Sequence, residues 1–428
     1  MKIVLVNTVY ATGSVGRICA DLYEVLEKQG DTPYAATGRG MLPEGVRGCT
    51  IGNKIDFFCH VLKNFTQGKS GFGSQKVTQK FLRWLDEIRP DAIHLHNIHG
   101  FYLQTELLFA YLKERQIPVI WTLHDCWPFT GHCAYFDYVS CTRWKEGGCH
   151  DCSIHAKAYP YAIFKDNTIW NFQAKKQAYT GVDRLTIVTP SRWLAGLVKQ
   201  SFLGEYPVRV IPNGIDLARF SPAPKAAEST ECGAAPETVQ KTDRNSAAPE
   251  AGKRIVLGVA NCWEERKGLR YFMQLAEVLP PEYEIQLVGL SASQCRNIRK
   301  HYPAGRIRPM MRTQSVEELA ELYRKADVFV NATLEDNFPT TNLEALACGT
   351  PVITFDTGGS AESLDDTCGI AVPKGDVGKL REAVLFVCGK HPIAPEDCRK
   401  RALLFDRGDR YMEYVSLYRE MIGERKDD

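Results

Sequence analysis

Asp336 and Glu344 stand eight positions apart in EDNFPTTNLEALACGTPV, residues 335–352, between an apolar run and a helical pattern. Carboxylates at that place can cap a helix start, since acids are favoured near its positive end. They can also hold sugar hydroxyls through charge-assisted hydrogen bonds, while the free N–H groups of the helix start attract an anion. Further back, WEERKGL (Trp263–Leu269) follows another apolar run and carries Arg266 and Lys267. Cations are poorly placed at a helix start for its dipole, so a diphosphate explains the pair better than a solvated surface does. GSVGR, with Gly13 at its head, follows the first apolar run. Glycines there allow backbone N–H groups to approach an anion, or merely make a tight strand-to-helix turn.

Histidines and cysteines form a second set of candidates. His124 sits in LHDCWPFTGHC at the end of an apolar run, where it can reach a ligand or remain a satisfied structural group. His94, His96 and His99 alternate along AIHLHNIHG, so at least one faces the packing side. Of the fifteen cysteines, Cys19, Cys59 and Cys348 lie in apolar surroundings and read as small core residues. Cys133, Cys141, Cys149 and Cys152 are spaced C-x7-C-x7-C-x2-C, which suggests a closed, structural four-thiolate zinc knot, with Cys126, His132 and His150 as alternative ligands.

These residues need a frame to position them. The chain has 428 residues, 44% hydrophobic and 24% charged, enough for two or three soluble domains. A net charge of +2 gives no field for nucleic acid, and that partner class is set aside. MKIVLVN reads as a strand rather than a signal peptide, and no run reaches the ~18 apolar residues of a membrane span, which points to a cytoplasmic protein. IDFFCHVLKNF and VTQKFLRWL read as core-facing helices in preference to lipid-facing ones.

KIVLVN, AIHLHN, PVIWTLHD, LTIVTPS and VRVIPNG are short Val/Ile/Leu runs separated by helical stretches, the pattern of strands buried on both faces of a parallel sheet. RIVLGVA, EIQLVGL, ADVFVNAT, PVITFDT and GIAVP repeat the pattern. Between them, 223–253 is rich in Ala, Pro, Glu, Thr and Ser and reads as a flexible linker. The expected organisation is an α/β chain of two doubly wound, Rossmann-like domains, 1–222 and 254–404, facing each other across a cleft, with a closing helix in 405–428 that packs back on the first.

NGID (Asn213–Asp216), the KG of WEERKGL, the two spaced acids and ALACGTPV together resemble the family-4 retaining glycosyltransferases of GT-B fold. HLHNIHGFYL and LHDCWPFTGHC are similar to the bacterial exopolysaccharide branch that includes colanic-acid-type enzymes. The resemblance covers nearly the whole chain apart from the linker. It implies that Glu344 holds the ribose of a nucleotide-diphosphate sugar donor and that Asp336 meets the transferred sugar. Phe338, Pro339, Thr340 and Thr341 would lie near sugar and phosphate, Arg266 and Lys267 would grip the diphosphate, and Gly13 would approach it from the opposite domain. His124 would stand between donor sugar and acceptor. The acceptor would be a glycan or lipid-linked glycan, reached at the inner face of the cell membrane through peripheral contact, with no metal cofactor for catalysis. Two positions depart from the pattern. The first acid is Asp336 rather than Glu, with Glu335 beside it as an alternative, and Cys262 replaces an arginine, leaving Arg266 to supply that charge. GFGSQKVT and FYLQT are candidate acceptor contacts, and GLSAS and MMRTQS candidate base readers. A nucleotide-sugar epimerase, a zinc hydrolase built on His124, Asp125 and the cysteines, and a pure binding module are the competing readings.

Overall fold

The computed structural model describes residues 1–145, 147–223, 252–302, 305–390 and 393–423. The linker expected at 223–253 lies outside the described residues except for its ends. Two parallel sheets form the frame. The first contains β1 (Lys2–Asn7), β2 (Thr32–Thr37), β3 (Gly48–Thr50), β4 (Ala92–Leu95), β5 (Val119–Thr122), β6 (Leu185–Thr189) and β7 (Val208–Val210). Its order is β3-β2-β1-β4-β5-β6-β7. The second contains β8 (Arg254–Val259), β9 (Tyr283–Val288), β10 (Ile307–Pro309), β11 (Val328–Asn331), β12 (Val352–Asp356) and β13 (Gly369–Pro373), in the order β10-β9-β8-β11-β12-β13.

The unbroken apolar runs are explained by packing on both faces. Val4, Val6, Ile93, Leu95 and Trp121 point into one core of the first sheet, while Ile3, Leu5, Ile120 and Val188 point into the other. Val256, Ile285 and Val330 likewise oppose Leu257, Val288 and Phe329 in the second. Strand order reverses at β1/β4 and at β8/β11, and such switch points open a crevice at the carboxyl ends of the strands. The sequence patterns did not reveal β2, β3 and β10. TPYAAT carries a proline and small residues, and the other two have three residues each at sheet edges, too short for a periodic signal.

The chain crosses between the sheets twice, and the crossings run side by side. Ile215 N–H donates to Phe405 O (2.8 Å), and Arg407 N–H donates to Ile215 O (3.1 Å). Gly214 of NGID permits this approach, because a Cβ there would lie 2.6 Å from Arg407 Cα. Helix Arg407–Gly423 then lays Tyr411, Tyr414 and Tyr418 on Ile3, Leu5, Ile18 and Leu22 of the first domain.

Two helices expected to face the core behave differently. Gln75–Ile88, from VTQKFLRWL, buries Phe81 and Leu85. Lys54–Gln67, from IDFFCHVLKNF, buries only His60 and Asn64 and leaves Ile55, Phe58 and Leu62 exposed at 73%, 65% and 62%. The core-facing reading of that helix is therefore wrong. The helical period was legible, but the buried stripe is polar because His60 and Asn64 find partners in neighbouring loops. Cys59 on the same helix is exposed rather than in the core.

Candidate active site

The crevice between the sheets contains a cavity of about 330 Å³ bordered by residues of both domains. From the second domain come Arg266, Lys267 and the run Asp336 to Thr341; from the first come Ser14, Asn97, His124 and Asp125. Lys267 Nζ lies 2.5 Å from Asp336 Oδ2. Burial raises the Asp336 carboxyl, but the charges of Lys267 and Arg266 outweigh it and hold the group below its ordinary value, ionised. Gly268 completes the KG turn. It has φ +75°, and a Cβ would meet Ala332 O at 1.9 Å, so only glycine lets the lysine loop sit on the end of β11.

Arg266 is positioned by three groups. Its Nη1 donates to Glu335 O (2.5 Å), its own carbonyl accepts from Leu334 N–H (2.7 Å), and its guanidinium lies 3.9 Å from the centre of the Tyr135 ring. Glu335 does not enter the cavity. It is wholly buried and accepts the backbone N–H groups of Phe136 (3.2 Å) and Tyr138 (3.0 Å) from the first domain. Burial pushes its carboxyl up to about 7, against the lowering effect of those two bonds. Asp336 is thus the acid that faces the crevice, and Glu335 ties the domains together.

Helix Thr340–Ala347 has Pro339 as N-cap and no side-chain cap, so its first N–H groups point toward the cavity edge formed by Phe338 to Thr341. Glu344, one turn further on, is buried, accepts the Tyr323 hydroxyl (3.0 Å) and lies 3.6 Å from Arg17 of GSVGR. It borders a second cavity of about 320 Å³, which shares Ser14, Ile18 and Thr340 with the first. Gly13, with φ +66°, opens helix Gly13–Lys28, whose Ser14 borders both cavities. The expected residues therefore fall into two adjoining compartments: Asp336, Lys267, Arg266 and His124 in one, Glu344 in the other.

His124 is nearly buried. Its Nε2 lies 3.0 Å from His96 Nδ1, and burial pushes its imidazole down to about 4, so it is neutral near pH 7. His94 belongs to the interior, bonded to Tyr418 (2.5 Å) and Thr122 (2.8 Å), and His99 Nε2 lies 2.8 Å from Asp125 Oδ2. Three neighbours of the site were given no individual role by sequence reasoning. Asn337 Nδ2 donates to His124 O (3.2 Å) while its Oδ1 accepts the Ser191 hydroxyl (2.5 Å), and Asn213 Nδ2 donates to Phe338 O (2.9 Å). Arg17 was visible in GSVGR, but its partner lies 327 positions away. GFGSQKVT, FYLQT, GLSAS and MMRTQS border neither cavity.

The expected zinc knot is not assembled. Cys133, Cys141, Cys149 and Cys152 are free thiols bordering one cavity of about 260 Å³, yet among the described residues no three His, Cys, Asp or Glu stand close enough together to hold an ion. The long gaps spread the thiols over separate turns of an irregular loop; Cys149 Sγ accepts Gly131 N–H (3.1 Å), and burial pushes its thiol up to about 11. That loop cavity is separate from the crevice holding His124 and Asp125, so the cysteines and this pair do not form one metal site.

A crevice between two doubly wound sheets, lined by paired cations, an acid and an uncapped helix start, defines a protein of the GT-B class. Residues 15–219 match Glycosyltransferase Family 4, and residues 253–389 match Glycosyl transferases group 1. The chain belongs to the family-4 glycosyltransferases. It is similar to WcaC of Escherichia coli K12, described as a colanic acid biosynthesis glycosyl transferase, at 24% identity over 299 residues. That match takes in 68% of this chain and 66% of the relative, just under two thirds of its length. Sucrose-phosphate synthase of Thermosynechococcus elongatus shares the fold, with TM-score 0.67, 17% identity and 99% of each chain covered. Anabaena HepE, solved with UDP, gives TM-score 0.63 at 12% identity over 97% of this chain and 99% of its own. Among the described residues, no helix is long and apolar enough to cross a membrane.

Proposed function

We propose that the protein is a retaining, metal-independent glycosyltransferase that moves a sugar from a nucleotide-diphosphate donor to a glycan or lipid-linked glycan in cell-surface polysaccharide synthesis. The observation that carries this reading is the shared crevice of Lys267, Arg266, Asp336 and the uncapped start of helix Thr340–Ala347. Cleaving the bond from the sugar's anomeric carbon to the diphosphate builds negative charge on phosphate and positive charge on that carbon. Fixed cations and helix N–H groups stabilise the first more strongly in the transition state than in the ground state. Two protein cations can balance the diphosphate in the role a divalent metal would otherwise fill.

Asp336 would orient a sugar hydroxyl, and neutral His124 would hold a second by a hydrogen bond rather than by proton transfer. The acceptor would attack on the face the diphosphate leaves, with a leaving oxygen taking its proton. No side chain is assigned as a covalent nucleophile. Glu344 would hold the ribose in the adjoining compartment, placing the base beyond it and the sugar toward His124. The first domain would then serve the acceptor and the second the donor.

Calorimetric titration of UDP and GDP, with chelator present, into the intact chain and into Glu344→Ala tests the reading. HepE's structure with UDP makes UDP the first nucleotide to try. Selective binding of one nucleotide, weakened about tenfold or more by the substitution, is the expected result, as for loss of a charge-assisted hydrogen bond. Equal binding by both proteins would remove the ribose role, and no binding at all would remove the donor site.

A further inference from the structure

Helix Lys54–Gln67 presents an apolar face to the outside. Ile55, Phe58 and Leu62 recur at helical spacing on that face, while the buried side holds His60 and Asn64. The polar pair is accommodated: Gly73 N–H donates to His60 Nε2 (3.1 Å), and Asn64 Nδ2 donates to Pro160 O (2.7 Å) and Tyr161 O (3.0 Å). Those bonds fix the segment that follows Pro160 beside the helix, where Phe164 N–H donates to Phe65 O (3.3 Å). That segment adds Ile163, Phe164 at 77% exposure, and Ile169 to the same face. Six large apolar side chains gathered on two neighbouring segments far exceed the scattered single exposures normal for a soluble surface.

Cations outnumber acids at the edges of the patch. Arg39 stands over the Phe57 ring (5.1 Å), Lys69 stands over Trp170 (4.2 Å), and Lys54 and Lys165 are exposed at the edges. The neighbouring acids are occupied with backbone: Asp56 accepts Asn53 N–H in the helix cap, and Asp166 accepts Cys152 and Thr168 N–H. Apolar side chains rimmed by cations match the acyl boundary and anionic headgroups of a bilayer. A row of rings leads inward from the patch. Phe58 meets Phe57 (5.5 Å), Phe57 meets Phe101 (6.1 Å), Phe101 meets Tyr159 (6.0 Å), and Tyr159 meets His99 (5.4 Å). His99 is bonded to Asp125, which borders the crevice beside His124.

We infer that this face is a docking surface for an anionic lipid bilayer, joined by a packed row of rings to the crevice beside His124. The inference rests on the proposed transfer to a lipid-linked acceptor. It gives a reason for the inverted helix: the apolar face is turned outward because its partner is lipid.

Sedimentation of the full chain with phosphatidylcholine vesicles, with and without phosphatidylglycerol, tests it. UDP affinity is measured on the same samples as a check on fold and donor site. The chain should partition onto the phosphatidylglycerol vesicles. Phe58→Asp with Phe164→Asp should lower partitioning about tenfold or more, and Lys54→Gln or Lys165→Gln about fivefold each, with UDP affinity unchanged. A chain that ignores both vesicle types overturns the inference, as does partitioning that the aspartates leave unmoved. A dimer dissolved by Phe58→Asp, in place of vesicle binding, makes the face a protein interface and also overturns it. Vesicle binding by a chain that binds no nucleotide leaves the surface assigned and removes the donor reading; nucleotide binding without vesicle binding does the reverse.

Discussion

Lys267 Nζ and Asp336 Oδ2 lie 2.5 Å apart across the mouth of the second sheet, and both side chains border the interdomain crevice. The pair joins the loop after β8 to the loop after β11, the two strands between which the order of the sheet reverses. A donor diphosphate of the kind proposed would meet there a cation already held in place by its neighbour, with little reorganisation required.

Lys267→Ala should be the more damaging half of that pair. It would remove the proposed phosphate contact and leave the part-buried Asp336 carboxylate with Arg266 as its remaining cation, costing about 1–3 kcal/mol of stability and about 10²-fold or more in kcat/KM. Asp336→Asn leaves a neutral acceptor for the lysine, so its stability loss should be smaller while sugar transfer still falls. Chemical denaturation and steady-state rates on both variants check the order.

Glu344 and Arg17 predict a pH dependence of nucleotide binding. Burial raises the Glu344 carboxyl, and the Arg17 charge and the Tyr323 hydroxyl oppose that rise. If the ionised form accepts ribose hydroxyls, affinity falls as pH drops through the raised value. Arg17→Met removes a lowering influence, so the fall should begin at higher pH than in the unaltered chain. Nucleotide affinities measured from pH 5 to pH 8 give the two curves; coincident curves would exclude the coupling.

Glu335 predicts a pH dependence of stability. Its carboxyl ionises at about 7 when folded, against an ordinary 4.5. A carboxyl raised in this way favours the folded state fully below about 4.5, and that contribution is lost as pH rises through about 7. Glu335→Gln should flatten this part of the profile. The amide can accept only one of the two N–H groups of Phe136 and Tyr138, so the domains should also be held less firmly. Urea midpoints across this range, with and without the substitution, measure the difference in slope.

His124 is neutral above about pH 4, so its contribution should not titrate near neutrality. His124→Gln, which keeps a hydrogen-bonding side chain, should retain more activity than His124→Ala, whose loss we expect to be about 10²-fold, as for removal of one positioned hydrogen bond. A pH–rate profile whose inflection near pH 6 disappears in His124→Gln would contradict the hydrogen-bonding role and favour proton transfer.

The two-sheet frame was legible because each strand buried on both faces leaves a continuous apolar run, and the helices between them keep their period. The motif residues were legible in the same way: the KG turn, the spaced acids and NGID are local and carry their own backbone requirements, such as positive φ at Gly268 and close approach at Gly214. Side-chain direction was not legible. Glu335 and Asp336 are adjacent acids of the same loop, yet one reaches across to Phe136 and Tyr138 while the other faces the crevice with Lys267. Helix Lys54–Gln67 shows the same limit, since its period fixed the helix but not which face would be buried.

Two parallel α/β sheets, and the WEERKGL and EDNFPTT loops at their cleft, could be read from the chain alone, because backbone propensity and apolar periodicity act over a few neighbouring positions. Packing alone set which acid enters the crevice, that Arg17 meets Glu344, that the four cysteines border a loop cavity apart from the crevice, and that Phe58 faces outward. Each of those outcomes depends on partners distant in sequence, whose meeting is set by how the sheets and loops pack.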